Sequence, residues 1–243
     1  MHNLKQHDRL FGLALTETPH AQRSLALWAV LALAIQAGLF SAHLLLPGAL
    51  ERWDVLIPAG YGALIDMTSG SSLAAWFQGT LYLLAVLLCL ALARIDRPGE
   101  KPSGVWKWGA LAFGVLALDA ACNLRGLAAS AIDAWSLDSH FFVPAAFLLL
   151  FGGFFGIALW RLRTNAWAAF GLLLGYAAWG LAWTGIADIE ILQMHLDERA
   201  QTAAIPAIAM LGTTLILWAL AGNLFRSARR ATPLALRQRP RLL

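Results

Sequence analysis

Six stretches of the chain run almost without charge for the roughly 20 residues that a helix needs to cross a hydrocarbon core of about 30 Å. They lie at approximately 24 to 46, 72 to 93, 105 to 125, 141 to 160, 166 to 187 and 204 to 225. Each is continuously apolar rather than alternating, which predicts α-helices and not barrel strands, because lipid requires every backbone group to be satisfied within its own segment. The pattern therefore predicts an all-α, polytopic membrane protein, a bundle of six transmembrane helices. The transmembrane domain covers 24–225, after an N-terminal segment 1–23 and before a basic tail 226–243.

Composition agrees with this reading. The 243 residues are 59% hydrophobic and only 13% charged, against about 25% charged in ordinary soluble domains. The longest segment between predicted helices, about residues 47 to 71, is too short to build a core of its own. Comparison of the first three predicted helices with the last three gives no clear inverted repeat, so nothing points to a repeat-built transporter.

Charge sets the expected orientation. Lys5, Arg9, Arg23, Arg94, Arg97, Lys101, Lys107, Arg161, Arg163, Arg226, Arg229, Arg230, Arg237, Arg239 and Arg241 all flank one set of helix ends. The other set has only Arg52, Arg125 and Arg199, among Glu51, Asp54, Asp66, Asp133, Asp138, Asp188, Glu190, Asp197 and Glu198. The positive-inside rule then places both termini in the cytoplasm. No cleavable signal is evident before the first helix. The tail "RSARRATPLALRQRPRLL" lacks interleaved aromatics, so its charge reads as a topology signal and a contact for anionic lipid rather than for nucleic acid. The expected partners are the lipid bilayer and other membrane subunits.

The segments between helices have some character. "PGALERWDVLIPAGYGALIDMTSGSS" is expected to lie along the interface, and Ile189, Leu192 and Leu196 in "DIEILQMHLDERAQ" form an amphipathic extension on the outer surface. Trp28, Trp76, Trp106, Trp108, Trp135, Trp160 and Trp167 fall near helix ends, where indoles favour the headgroup level. Trp179 and Trp183 share a face of the fifth helix, which admits a binding role. Gly152 and Gly156 in "FGGFFG" and Gly171 and Gly175 in "GLLLG" have the spacing that lets helices approach closely, and are expected to pack the fourth helix on the fifth. Cys89 and Cys122 fall toward opposite faces of the bilayer, so neither a disulfide nor a metal pair is expected.

The candidate chemistry lies in "LALDAACNLRG", at 116 to 126. At 3.6 residues per turn Asp119 and Asn123 share a face, while Arg125 points elsewhere, near enough to the boundary to snorkel. Gln36 and His43 share a face of the first helix, His140 opens the fourth, and Glu190 and His195 follow the fifth. These groups converge in depth on the outer side. An ionisable residue within a span is a functional hypothesis by default. The set fits three readings: hydrogen bonds that order helix packing, a proton or substrate path, or a metal or acid–base site. No HExxH, GxSxG, P-loop or haem signature is present, and no cofactor is indicated.

Three segments carry a resemblance. "IDMTSGSSLAAWFQGTLYLL" is similar, at Asp66, Leu73 and Trp76, to an acidic Asn-Leu-Pro-x-Trp-like segment opening a second helix. "DAACNLRG" is similar to an Asp-Glu-x4-His-Glu motif, keeping Asp119 but with Ala120, Arg125 and Gly126 at its other positions. "IPAIAMLG" is similar to a Glu-Glu-x2-Glu-x2-Gly motif, keeping Gly212 with Ile205, Pro206 and Ala209 at the acidic positions. On these segments the chain resembles a family of bacterial six-helix integral membrane proteins of uncharacterised activity. The resemblance implies a member whose acidic and histidine set is depleted. The expectation is a non-enzymatic structural or accessory subunit, with a transporter or channel-like protein working through Asp119, or an intramembrane metal-dependent enzyme, as alternatives.

Overall fold

The computed structural model describes residues 19–52, 61–67, 69–70, 72–95, 104–134, 139–183 and 198–237. Among these the chain is helical throughout, with no strand. Six long helices appear: α1 (Pro19–Arg52), α3 (Leu73–Ile95), α4 (Gly104–Cys122), α6 (Ser139–Leu162), α7 (Ala166–Trp183) and α8 (Glu198–Arg237). Two shorter helices, α2 (Tyr61–Ile65) and α5 (Leu124–Ala134), lie in segments expected to connect spans.

Four of the helices are long and apolar enough to cross a membrane, through Ser24–Pro47, Leu73–Ile95, Gly104–Cys122 and Arg199–Ala228. Shorter apolar stretches, Phe151–Leu162 and Ala166–Ala182, belong to α6 and α7. This is consistent with a multi-pass membrane protein.

Local chemistry explains several boundaries. Ser72 caps α3, its hydroxyl accepting the Ala75 N–H at 3.1 Å. The predicted third helix to 125 stops instead at Cys122, because Asn123 adopts φ 51°. That left-handed conformation closes a helix, and asparagine tolerates it better than most side chains. The Asn123 N–H donates to the Asp119 carbonyl at 2.7 Å, and its own carbonyl accepts the Leu127 N–H at 3.1 Å, starting α5. One residue thus ends one helix and begins the next.

α8 is the hub. It packs on α7, α3 and α1, while α3 packs on α4, and α6 joins α7 to α4. Half of the α8 apolar window is buried, 50%, compared with 11% for α1, which lies at the edge. The core between α3, α4, α6, α7 and α8 is aromatic, with Trp179, Phe113, Phe151 and Phe154 fully enclosed.

The glycines correct one expectation. Gly171 and Gly175 face α8 and not α6: a Cβ on Gly175 would meet the Gly212 carbonyl oxygen at 2.7 Å, and one on Gly171 would meet the Trp218 ring at 3.2 Å. Gly212 answers reciprocally, its Cβ falling 2.7 Å from the Gly175 carbonyl oxygen. Only Gly152 faces between α6 and α7, against the Tyr176 hydroxyl at 3.0 Å, and Gly156 has nothing within 4 Å. The sequence spacing shows that a helix can be approached closely, but not by which neighbour. Gly175→Ala is expected to lower unfolding stability in detergent by about 1–3 kcal/mol through overpacking, whereas Gly156→Ala leaves it unchanged. Equal thermal midpoints for the two variants would contradict the close α7–α8 crossing.

Candidate functional site

Consecutive residues on a helix point about 100° apart, so a polar pair in mid-helix can address two neighbours at once. Thr213 and Thr214 do this at the middle of the apolar window of α8. Both hydroxyls donate back one turn, Thr213 to the Ala209 carbonyl at 2.9 Å and Thr214 to the Met210 carbonyl at 3.1 Å. Their lone pairs remain to accept from other helices.

Thr213 accepts from two sides. The Gln78 amide on α3 donates to its hydroxyl at 2.6 Å, and the Trp179 indole N–H on α7 donates at 3.0 Å. With one bond donated and two accepted, that oxygen is saturated. Thr214 turns toward α1, where the Gln36 amide donates to its hydroxyl at 2.6 Å and to the Met210 carbonyl at 3.3 Å. Three helices, α1, α3 and α7, are therefore tied to one dipeptide of α8, and both threonines and Gln36 are buried.

Trp179 extends the node into the aromatic core. Its ring meets Tyr82, Phe113, Phe151 and Phe155 at centroid distances of 5.8, 5.8, 5.5 and 5.7 Å, all edge to face. This arrangement matches positive ring edges to negative faces. Trp179 is thus an enclosed packing residue, while the side chain of Trp183, which shares its face in sequence, lies outside the described set.

The predicted site residues are distributed as follows. Gln36 and His43 both turn toward the bundle, but His43 meets the turn before α3. Its Nδ1 accepts the Met67 N–H at 3.3 Å and lies 3.8 Å from the Asp66 carboxylate. The shorter contact has hydrogen-bond length and the longer does not, so Nδ1 is placed as an acceptor. Asp119 is buried at the end of a face that also carries Val105, Gly109, Ala112 and Leu116. It sits level with Gln78, since its neighbour Ala120 packs where Gly79 leaves room, 3.5 Å from a Cβ placed there.

Asn123 is exposed and lies just beyond α4, its backbone N–H bonded to the Asp119 carbonyl. His140 begins α6 with its side chain outside the described set, and Glu190 and His195 lie outside the described residues altogether. Among the described residues no group of three His, Cys, Asp or Glu side chains could hold a metal ion.

Two polar atoms are buried without a hydrogen-bond partner among the described residues, His43 Nε2 and Gln78 Oε1. They flank a small apolar cluster of Met67, Ala74, Ala203 and Met210. Gln78, Thr213 and Thr214 were not singled out from sequence. Their signal is present as "FQGT" and "LGTT" in otherwise apolar runs, but neutral amides and hydroxyls carry less weight there than charges.

Thr213→Val keeps the shape of the side chain while orphaning the Gln78 and Trp179 donors. It is expected to reduce stability by about 1–3 kcal/mol, the usual cost of stranding a buried donor. Paired with Trp179→Phe in a double-mutant cycle, it should cost less than the sum of the single variants. Strict additivity would show that the indole and hydroxyl are not coupled. No family model, no curated protein and no solved structure matches the chain.

Proposed function

We propose that this chain is a six-span, non-enzymatic membrane protein that serves as a structural or accessory subunit of a membrane assembly. The observation that carries this reading is how the interior is filled. The centre of the bundle is an aromatic plug around Trp179, and the Thr213–Thr214 pair uses its hydrogen bonds to join helices. A working path for solutes would need polar groups available along the axis, whereas these are committed to packing.

The edge position of α1 suggests how such a subunit would dock. Leu27, Val30, Leu31 and Leu45 expose large apolar faces on a helix held chiefly by α8. The positive-inside pattern supports both termini on the cytoplasmic side, and a bacterial inner membrane is what the family resemblance implies. The motif resemblance supports a non-catalytic member, because Ala120, Arg125, Gly126, Ile205, Pro206 and Ala209 stand at the family's acid and histidine positions.

A second reading is favoured by one residue. Asp119 is an aspartate buried at the level of Gln78, and an ionisable group at such depth is a candidate for a proton or solute path. The two readings separate experimentally. Extraction in mild detergent is expected to yield a complex with other membrane subunits, lost when Leu27, Val30 and Leu31 are replaced by serine. Recovery of a lone monomer at full yield would overturn the accessory reading. Flux into liposomes that is abolished by Asp119→Asn would establish the transporter instead.

A further inference from the structure

Where α1, α7 and α8 meet at the basic end of the bundle, they leave an open groove of about 530 Å³. Its apolar wall includes Leu25 of α1 and Gly222 of α8, and two indoles, Trp167 and Trp218, stand along it. Asn165, the residue before α7, and Arg226 of α8 supply the polar end. The Trp218 ring packs down on α7 at Gly171, where a Cβ would meet it at 3.2 Å.

We infer that this groove binds one anionic diacyl phospholipid from the bilayer leaflet at the basic end. Arg226 is exposed and makes no ion pair among the described residues, so its guanidinium is available for a phosphate. Asn165 offers amide donors beside it. Indoles favour the headgroup level, where a glycerol backbone lies, and the apolar wall below them suits the first part of an acyl chain. The volume falls in the range of small-molecule sites, about 300–1,000 Å³. It therefore takes the headgroup and the upper chains and leaves the remainder of the lipid in the bilayer.

Charge complementarity selects the lipid class. Arg94, Arg161 and Arg163 lie at the same end of the bundle, so the leaflet there faces a positive surface. Arg163 differs from Arg226 in covering the Trp160 ring at 4.2 Å, outside the groove. It provides a control of equal charge. Gly222 provides a second handle, since a Cβ there meets nothing within 4 Å and a larger side chain fills the groove without displacing a helix.

The inference rests on the membrane reading, which is tested separately by whether the chain sediments with the membrane fraction. The lipid test uses full-length protein in detergent, titrated with phosphatidylglycerol or phosphatidylcholine, with bound lipid counted by native mass spectrometry. Phosphatidylglycerol should be retained about fivefold more strongly, the preference expected of one basic residue near an anionic headgroup. Arg226→Gln should remove that preference, Gly222→Leu should lower retention of both lipids, and Arg163→Gln should change neither. Inorganic phosphate should leave the thermal midpoint unchanged while phosphatidylglycerol raises it. Equal retention of the two lipids overturns the assignment. So does retention unchanged in both Arg226→Gln and Gly222→Leu, or stabilisation by phosphate equal to that by lipid.

Discussion

The hydroxyl of Thr213 is the point at which the bundle is held together. It is buried, saturated, and shared between α3 and α7, and its neighbour Thr214 performs the same service for α1. The arrangement depends on a property of helices alone, that adjacent residues face different directions. Back-donation to the Ala209 and Met210 carbonyls satisfies each hydroxyl proton within α8 and leaves the lone pairs for the neighbouring helices. Trp179 then converts a hydrogen bond into packing, because the indole held by Thr213 is the ring against which Tyr82, Phe113, Phe151 and Phe155 are set.

The distribution of residue types around that point follows from the medium the helices suit. Lipid tails are as apolar as leucine, so burial between helices gains little from hydrophobicity and much from close fit and hydrogen bonding. Leucines accordingly dominate the exposed faces, with Leu27, Leu83, Leu87, Leu111, Leu118 and Leu149 all turned outward. The interior also holds leucines, and adds to them the alanines, glycines and aromatic rings that allow close fit. Gly109 shows how tight this becomes, since a Cβ there would fall 2.5 Å from the Phe154 ring and 3.1 Å from the Cys89 sulfur.

This sorting explains what the sequence could convey about the site. Ionisable residues stand out in an apolar run, so Asp119 and His43 were visible, with Gln36 picked out by sharing a helix face with His43, and all three turn toward the interior. Their grouping was not visible. His43 pairs with the Met67 backbone because the turns Asp66–Ser69 and Ser69–Ser72 carry the chain from α2 back past α1. Asn123 stands just beyond the end of α4 because it is left-handed, and a count of 3.6 residues per turn assumes that no such residue intervenes. Thr213 and Gln78 were overlooked because a threonine or glutamine in an apolar helix resembles a minor exception until its partners are known.

Sequence by itself determined the helical class, the approximate places of the long helices, though the first and last run well past their expected ends, and the segregation of basic charge to one set of ends. These are local properties: an apolar run of fixed length and a count of lysines and arginines. The tertiary structure decided which helix meets which, that Gly175 faces Gly212 and not α6, and that Trp179 is enclosed. In helices apolar on every side, the pattern along the chain does not distinguish an inward face from an outward one. Only the fit between neighbouring helices does, through backbones that approach where side chains are absent and donors that find acceptors.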